Sequence, residues 1–164
     1  EGVASEKSWK EEILNVNQYT VTKDGTPGLF ENSFLERNLW DKVYARLIAL
    51  VPYCPEEKYL VHGDYGFNNL LVQNSKVTGV IDWECSMYGD FVYDIAWLSF
   101  WSKDYDFEKL YKEHCELTHK KISHFDERVL CYKLCIGLGS LSFFAYSRQK
   151  EKYEASKQKL LKLL

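Results

Sequence analysis

Three short apolar runs between residues 58 and 82 constrain the fold of this chain more than any other feature. They are Lys58-Tyr59-Leu60-Val61, Leu70-Leu71-Val72-Gln73 and Val77-Thr78-Gly79-Val80-Ile81. Each has the length of a strand and is too short for an independent helix. The last two flank the turn-prone Asn74-Ser75-Lys76 and read as a β-hairpin. Around them the pattern is helical, so the expected class is α+β, mainly α, with one small hairpin.

The helical parts are marked by their own chemistry. Ser8-Trp9-Lys10-Glu11 has the form of a capping box, and Asp24-Gly25-Thr26-Pro27-Gly28 that of a loop. Phe34–Val51 carries Leu35, Leu39, Val43 and Leu47 at helical spacing before Pro52 and Pro55 end it. Further helices are predicted over Phe91–Trp101, Phe107–Leu117, Asp126–Arg148 and Glu151–Leu164, with Asp90 as the N-cap of the first. Gly137-Leu138-Gly139-Ser140 lies inside an apolar helical stretch without a preceding strand, which predicts close helix packing rather than a phosphate loop.

Between the first two strands stands His62-Gly63-Asp64-Tyr65-Gly66-Phe67-Asn68-Asn69, and Asp82 follows the third. If Gln73 faces Thr78, Asn69 faces Asp82, and opposed residues hold their Cβ atoms roughly 5 Å apart. Two side-chain oxygens can then share one Mg²⁺, a hard cation that keeps water and phosphates as its other ligands. A lone loop Asp is usually a turn residue, and a lone His is more often structural. The joint pattern of strand, His-Gly-Asp, an Asn five residues on, hairpin and closing Asp outweighs those readings.

These residues resemble the catalytic loop of the aminoglycoside phosphotransferase family. The longer run Tyr59–Leu71, with Val80-Ile81-Asp82-Trp83 and Met87–Tyr93, resembles members that phosphorylate hygromycin B. The likeness covers residues 58–101 strongly and the remainder loosely. Choline, homoserine, macrolide and sugar kinases carry similar loops, so the acceptor stays open at this point.

The resemblance implies a kinase-like lobe, residues 1–164, with the catalytic loop and metal-site hairpin over 58–82. Asp64 would accept the proton of the acceptor hydroxyl, while Asn69 and Asp82 hold Mg²⁺ on the phosphates of ATP or GTP. His62 would support the loop, and Asp94 would brace it through backbone hydrogen bonds. A cationic acceptor favours carboxylates and aromatic faces. Glu84 is the first candidate for binding it, followed by Asp104, Asp106 and Glu108, although acids at helix starts often serve as caps. Tyr93, Trp97 and Trp101 recur every four residues and read as core.

The 61 residues before His62 read as helix, loop, helix. They offer no glycine-rich phosphate cover and no strand ending in a phosphate-binding Lys. The expectation is a C-terminal lobe whose nucleotide-gripping partner lobe is absent, inactive alone or restricted to substrate binding. Its interlobe face could self-associate.

The net charge of -3 lacks the basic, aromatic-interleaved patch of a nucleic-acid binder. No apolar run is expected to reach the ~20 residues of a membrane span. Five cysteines without a Cys-x-x-Cys pair point to a reduced cytoplasmic protein. A Gly-x-Ser-x-Gly elbow and a zinc-binding His pattern are both missing.

Overall fold

The structure, a computed structural model, describes residues 8–20 and 28–164, without side chains for residues 18–20. The loop expected at Asp24–Gly28 lies outside the described residues apart from Gly28. Helix α1 (Trp9–Leu14) opens on the predicted capping box: Ser8 Oγ accepts the Glu11 N–H and Glu11 returns the bond to the Ser8 N–H. A 3₁₀ turn (Asn15–Thr20) and α2 (Leu29–Asn32) precede the longer α3 (Arg37–Leu50). Helix α3 starts three residues later than the apolar period suggested, because Glu36 adopts an extended conformation.

Strand β1 (Tyr59–Val61) pairs antiparallel with β4 (Met87–Gly89), a strand the sequence did not announce. Within β1, Tyr59 and Leu60 are exposed and only Val61 enters the core. The expected fully apolar strand is therefore half wet.

Strands β2 (Leu70–Gln73) and β3 (Lys76–Val80) form the predicted hairpin in a different register. Asn74 and Ser75 both have positive φ, 51° and 58°. That is the geometry of a two-residue turn matched to strand twist. Gln73 consequently pairs with Lys76, not Thr78, and an irregularity at Leu71/Val72 shifts the ladder. At the open end Asn69 faces Ile81, whose N–H donates to the Asn69 carbonyl at 3.0 Å. Asp82 stands one residue further on.

Helices α4 (Val92–Trp101), α5 (Phe107–Leu117), α6 (Phe125–Tyr146) and α7 (Lys150–Leu161) complete the fold. Helix α6 is its axis, packed by α3, α4 and α7. Contrary to the sequence expectation, α6 is long and apolar enough by length and composition to cross a bilayer. Its buried face belongs to the protein's core, and its Arg128 and Lys133 pair with Asp90 and Glu108. Gly137 lets α7 approach: a Cβ there would lie 2.4 Å from Leu160 Cδ2.

The N-cap of α4 is Phe91, without a side-chain cap bond, one residue after the expected Asp90, which anchors a buried network instead. Asp90 Oδ1 accepts the Val92 N–H at 3.1 Å, while Arg128 bonds Asp90 through Nε at 2.8 Å and Nη2 at 2.5 Å. Tyr132 donates its hydroxyl to Oδ2 at 2.6 Å and accepts the Trp9 indole N–H at 3.0 Å. Burial pushes the Tyr132 phenol up, so it remains a donor. A fully buried carboxylate is thus satisfied on every side, as burial of charge requires. This network ties α1, α4 and α6 together.

Candidate active site

The His-Gly-Asp loop leaves β1 and is held from below. Asp94, in the first turn of α4, accepts the His62 N–H at 2.9 Å and the Gly63 N–H at 3.0 Å. Burial raises the Asp94 pKa above the usual carboxylate range, with the two backbone N–H groups pulling against it. Gly63 has φ +80°, and a Cβ there would stand 2.2 Å from the Cys85 carbonyl oxygen. Both conformation and space require glycine before Asp64.

His62 is 1% exposed and acts as an internal strut. Its Nε2 lies 2.9 Å from the Ile81 carbonyl and its Nδ1 accepts the Asp64 N–H at 3.3 Å. The ring therefore carries its proton on Nε2 in this arrangement. It joins the Asp64 loop to the residue before Asp82, and Trp83 and Tyr65 flank it.

Asn69 is buried, and its Nδ2 donates to the Asp64 carbonyl at 2.8 Å and to Asp64 Oδ2 at 3.3 Å. Its Oδ1 accepts from Asn68 Nδ2 at 3.2 Å. Asp82 is exposed and left-handed, with φ 62° and ψ 61°. Asp tolerates that region better than most residues, yet it remains uncommon and marks a residue placed against local preference. Among the described residues no three His, Cys, Asp or Glu side chains form a metal-holding group. Asn69 and Asp82 supply two oxygen donors at adjoining strand ends, the hard-oxygen type that suits Mg²⁺ when phosphates and water complete its shell. The acidic character of this end is felt by Cys85, whose thiol is pushed up by burial and then by Asp64, Glu84 and Asp82.

The four acids singled out for the acceptor separate. Asp104 lines a cleft of about 450 Å³ together with Asp64, and Trp97 and Trp101 form part of its wall. Those two residues are half-buried against the core and also line this cleft, so the core reading holds for them only in part. Glu84 is exposed in the 3₁₀ turn after Asp82 and does not line the cleft. Asp106 caps α5 by accepting the Lys109 N–H at 3.0 Å. Glu108 accepts from Ser99 Oγ at 2.6 Å and pairs with Lys133. Sequence reasoning missed Asn68, Phe67 and Tyr105, which also line the cleft. The Asn68-Asn69 doublet was a visible signal for the first. The two exposed rings gave no local one.

The model of the phosphotransferase enzyme family matches residues 10–121. Hygromycin-B 4-O-kinase of Escherichia coli is 38% identical over 88 residues, covering 54% of this chain and 26% of the relative. Among solved structures, a thermostable aminoglycoside phosphotransferase APH(4)-Ia in ternary complex with ADP and hygromycin B superposes with a TM-score of 0.76 at 20% identity. That match covers 99% of this chain and 53% of the other. Macrolide 2'-phosphotransferase type I gives 0.60 at 18% identity, covering 94% and 49%. The chain spans about half the length of these solved relatives.

Proposed function

This chain belongs to the phosphotransferase enzyme family, and from that premise we propose that it forms the acceptor and metal side of a kinase acting on hygromycin B or a close aminoglycoside. The observation that carries the reading is the assembled loop: Asp94 fixes the His62-Gly63 backbone, His62 joins it to Ile81, and Asn69 is bonded to Asp64. The 38% identity with the hygromycin-B kinase favours that acceptor over a macrolide, where only the fold is shared.

In this reading Asp64 orients the acceptor hydroxyl and takes its proton as the phosphoryl group transfers from ATP or GTP. Asn69 and Asp82 would hold Mg²⁺, and the ion would supply charge neutralisation at the phosphates. The chain's own contribution is positioning and charge placement, which is most of what phosphoryl transfer asks of a protein. Asn69 can keep its Nδ2 bonds to Asp64 while its Oδ1, which accepts from Asn68 Nδ2, presents a lone pair to a metal. Its carbonyl hydrogen bond to Ile81 keeps the backbone in place meanwhile. A cytoplasmic setting belongs to the same proposal. Five free cysteines suit a reducing compartment.

The test is phosphate transfer by the full protein carrying this chain, measured with Mg²⁺ and ATP or GTP against hygromycin B, a macrolide, choline, homoserine and simple sugars. Transfer to hygromycin B above the others supports the reading. Transfer to choline or a macrolide alone replaces the acceptor, and binding without transfer to any acceptor replaces the enzyme with a binding lobe.

A further inference from the structure

The geometry points to a three-ring stacking platform, Phe67, Tyr105 and Phe107, that binds a cationic amino-sugar acceptor beside Asp64. This rests on the reading of Asp64 as the phosphotransfer residue and names what holds the acceptor there. The ring centroids stand 5.9 Å apart for Phe67 and Tyr105, 6.0 Å for Phe67 and Phe107, and 5.9 Å for Tyr105 and Phe107. All three line the cleft that contains Asp64 and Asp104. Phe67 is 63% exposed and Tyr105 58% exposed, although folding normally hides such rings.

The exposure is built in rather than left over. Phe67 opens the 3₁₀ turn Phe67–Asn69, whose last residue is bonded to the Asp64 backbone. Tyr105 sits in the loop between α4 and α5, held at one end by its N–H donating to Ser102 Oγ at 3.1 Å. At the other end Asp106 caps the next helix. Two separately anchored segments thus present their rings to one cleft. A pre-ordered aromatic surface binds with little loss of side-chain freedom.

Chemistry selects the ligand. Aromatic faces accept the C–H faces of a sugar ring and attract ammonium groups through the ring quadrupole. The charged groups lining the cleft are Asp64, Asp104 and Lys103, a balance of one excess negative charge. A ligand with apolar ring faces, hydroxyls and amines matches all of these at once. Asp104 then pairs with an ammonium while the platform stacks the ring and a hydroxyl reaches Asp64.

The experiment is calorimetric titration of the chain with hygromycin B and, separately, with spermidine, a cation without a ring. Wild type, F67A, Y105A, Y105F and D104N are compared, with thermal midpoints to verify folding. Hygromycin B affinity should fall about 5- to 30-fold in F67A and in Y105A, and recover in Y105F. D104N should weaken both ligands, and spermidine should respond less than hygromycin B to the ring removals. In the full protein F67A should raise KM for the acceptor while leaving kcat within a few fold. Unchanged hygromycin B affinity in both F67A and Y105A overturns the platform, even where phosphate transfer proceeds. Absence of both binding and transfer in the wild type overturns the acceptor reading and the platform together.

Discussion

Asp94 holds Gly63: one carboxylate oxygen accepts the Gly63 N–H at 3.0 Å while the other takes the His62 N–H at 2.9 Å. A residue 31 positions downstream thereby sets the backbone from which Asp64 projects.

Replacing Asp94 with Asn leaves one of those N–H groups facing an amide nitrogen that cannot accept. The variant should lose about 1–3 kcal/mol at neutral pH, the cost of a buried donor left unpaired. It should also change the pH dependence. Burial raises the folded-state pKa of Asp94 above its ordinary 3.8, so the native state holds the proton more tightly than the unfolded chain. The contribution of Asp94 to stability is full below the ordinary value and is lost as pH rises through the raised one. Urea midpoints measured from about pH 3 to 7 should show that downward slope in wild type relative to D94N.

Asp90 and Arg128 form the buried counterpart of this brace. Asp90 is fully buried, and removing it strands the Arg128 guanidinium, itself only 5% exposed. Asp90→Ala should destabilise by about 3–5 kcal/mol in urea unfolding, and R128M should cost a similar amount. The two together should cost less than the sum, because the double variant leaves no uncompensated charge.

Two glycines of α6 should respond with opposite signs. Gly137→Ala drives a methyl group against Leu160 and should cost about 1–3 kcal/mol through overpacking. Gly139→Ala meets nothing within 4 Å, so it should stabilise by about 0.5–1 kcal/mol through helix propensity. Thermal midpoints of the two variants check both signs.

The sequence made the site legible where its chemistry is local. That His62, Asp64 and Asn69 share one hydrogen-bonded loop could be read because they lie within eight residues of one another, whereas Asp82 stands one residue beyond the pairing expected for it. Asp94 could be read through the family resemblance. The hairpin register could not, because it depends on Asn74 and Ser75 both adopting positive φ, which outweighed a three-residue turn. Strand β4 was hidden because Met87-Tyr88-Gly89 is too short to show alternation and forms only by pairing with β1. Partners distant in sequence were hidden as well. Glu108 is engaged by Lys133, 25 residues away, and Asp90 by Arg128, 38 residues away. The exposure of Tyr105 likewise follows from where α4 and α5 set their loop.

The claim that Asp64 is the chemical centre meets its most direct test in Asp64→Asn within the full protein. Phosphate transfer to hygromycin B is measured beside hygromycin B affinity. Turnover should fall by about 10²–10⁴-fold, the usual contribution of a positioned base, while affinity stays within a few fold of wild type. Near-normal turnover in the variant would contradict the account.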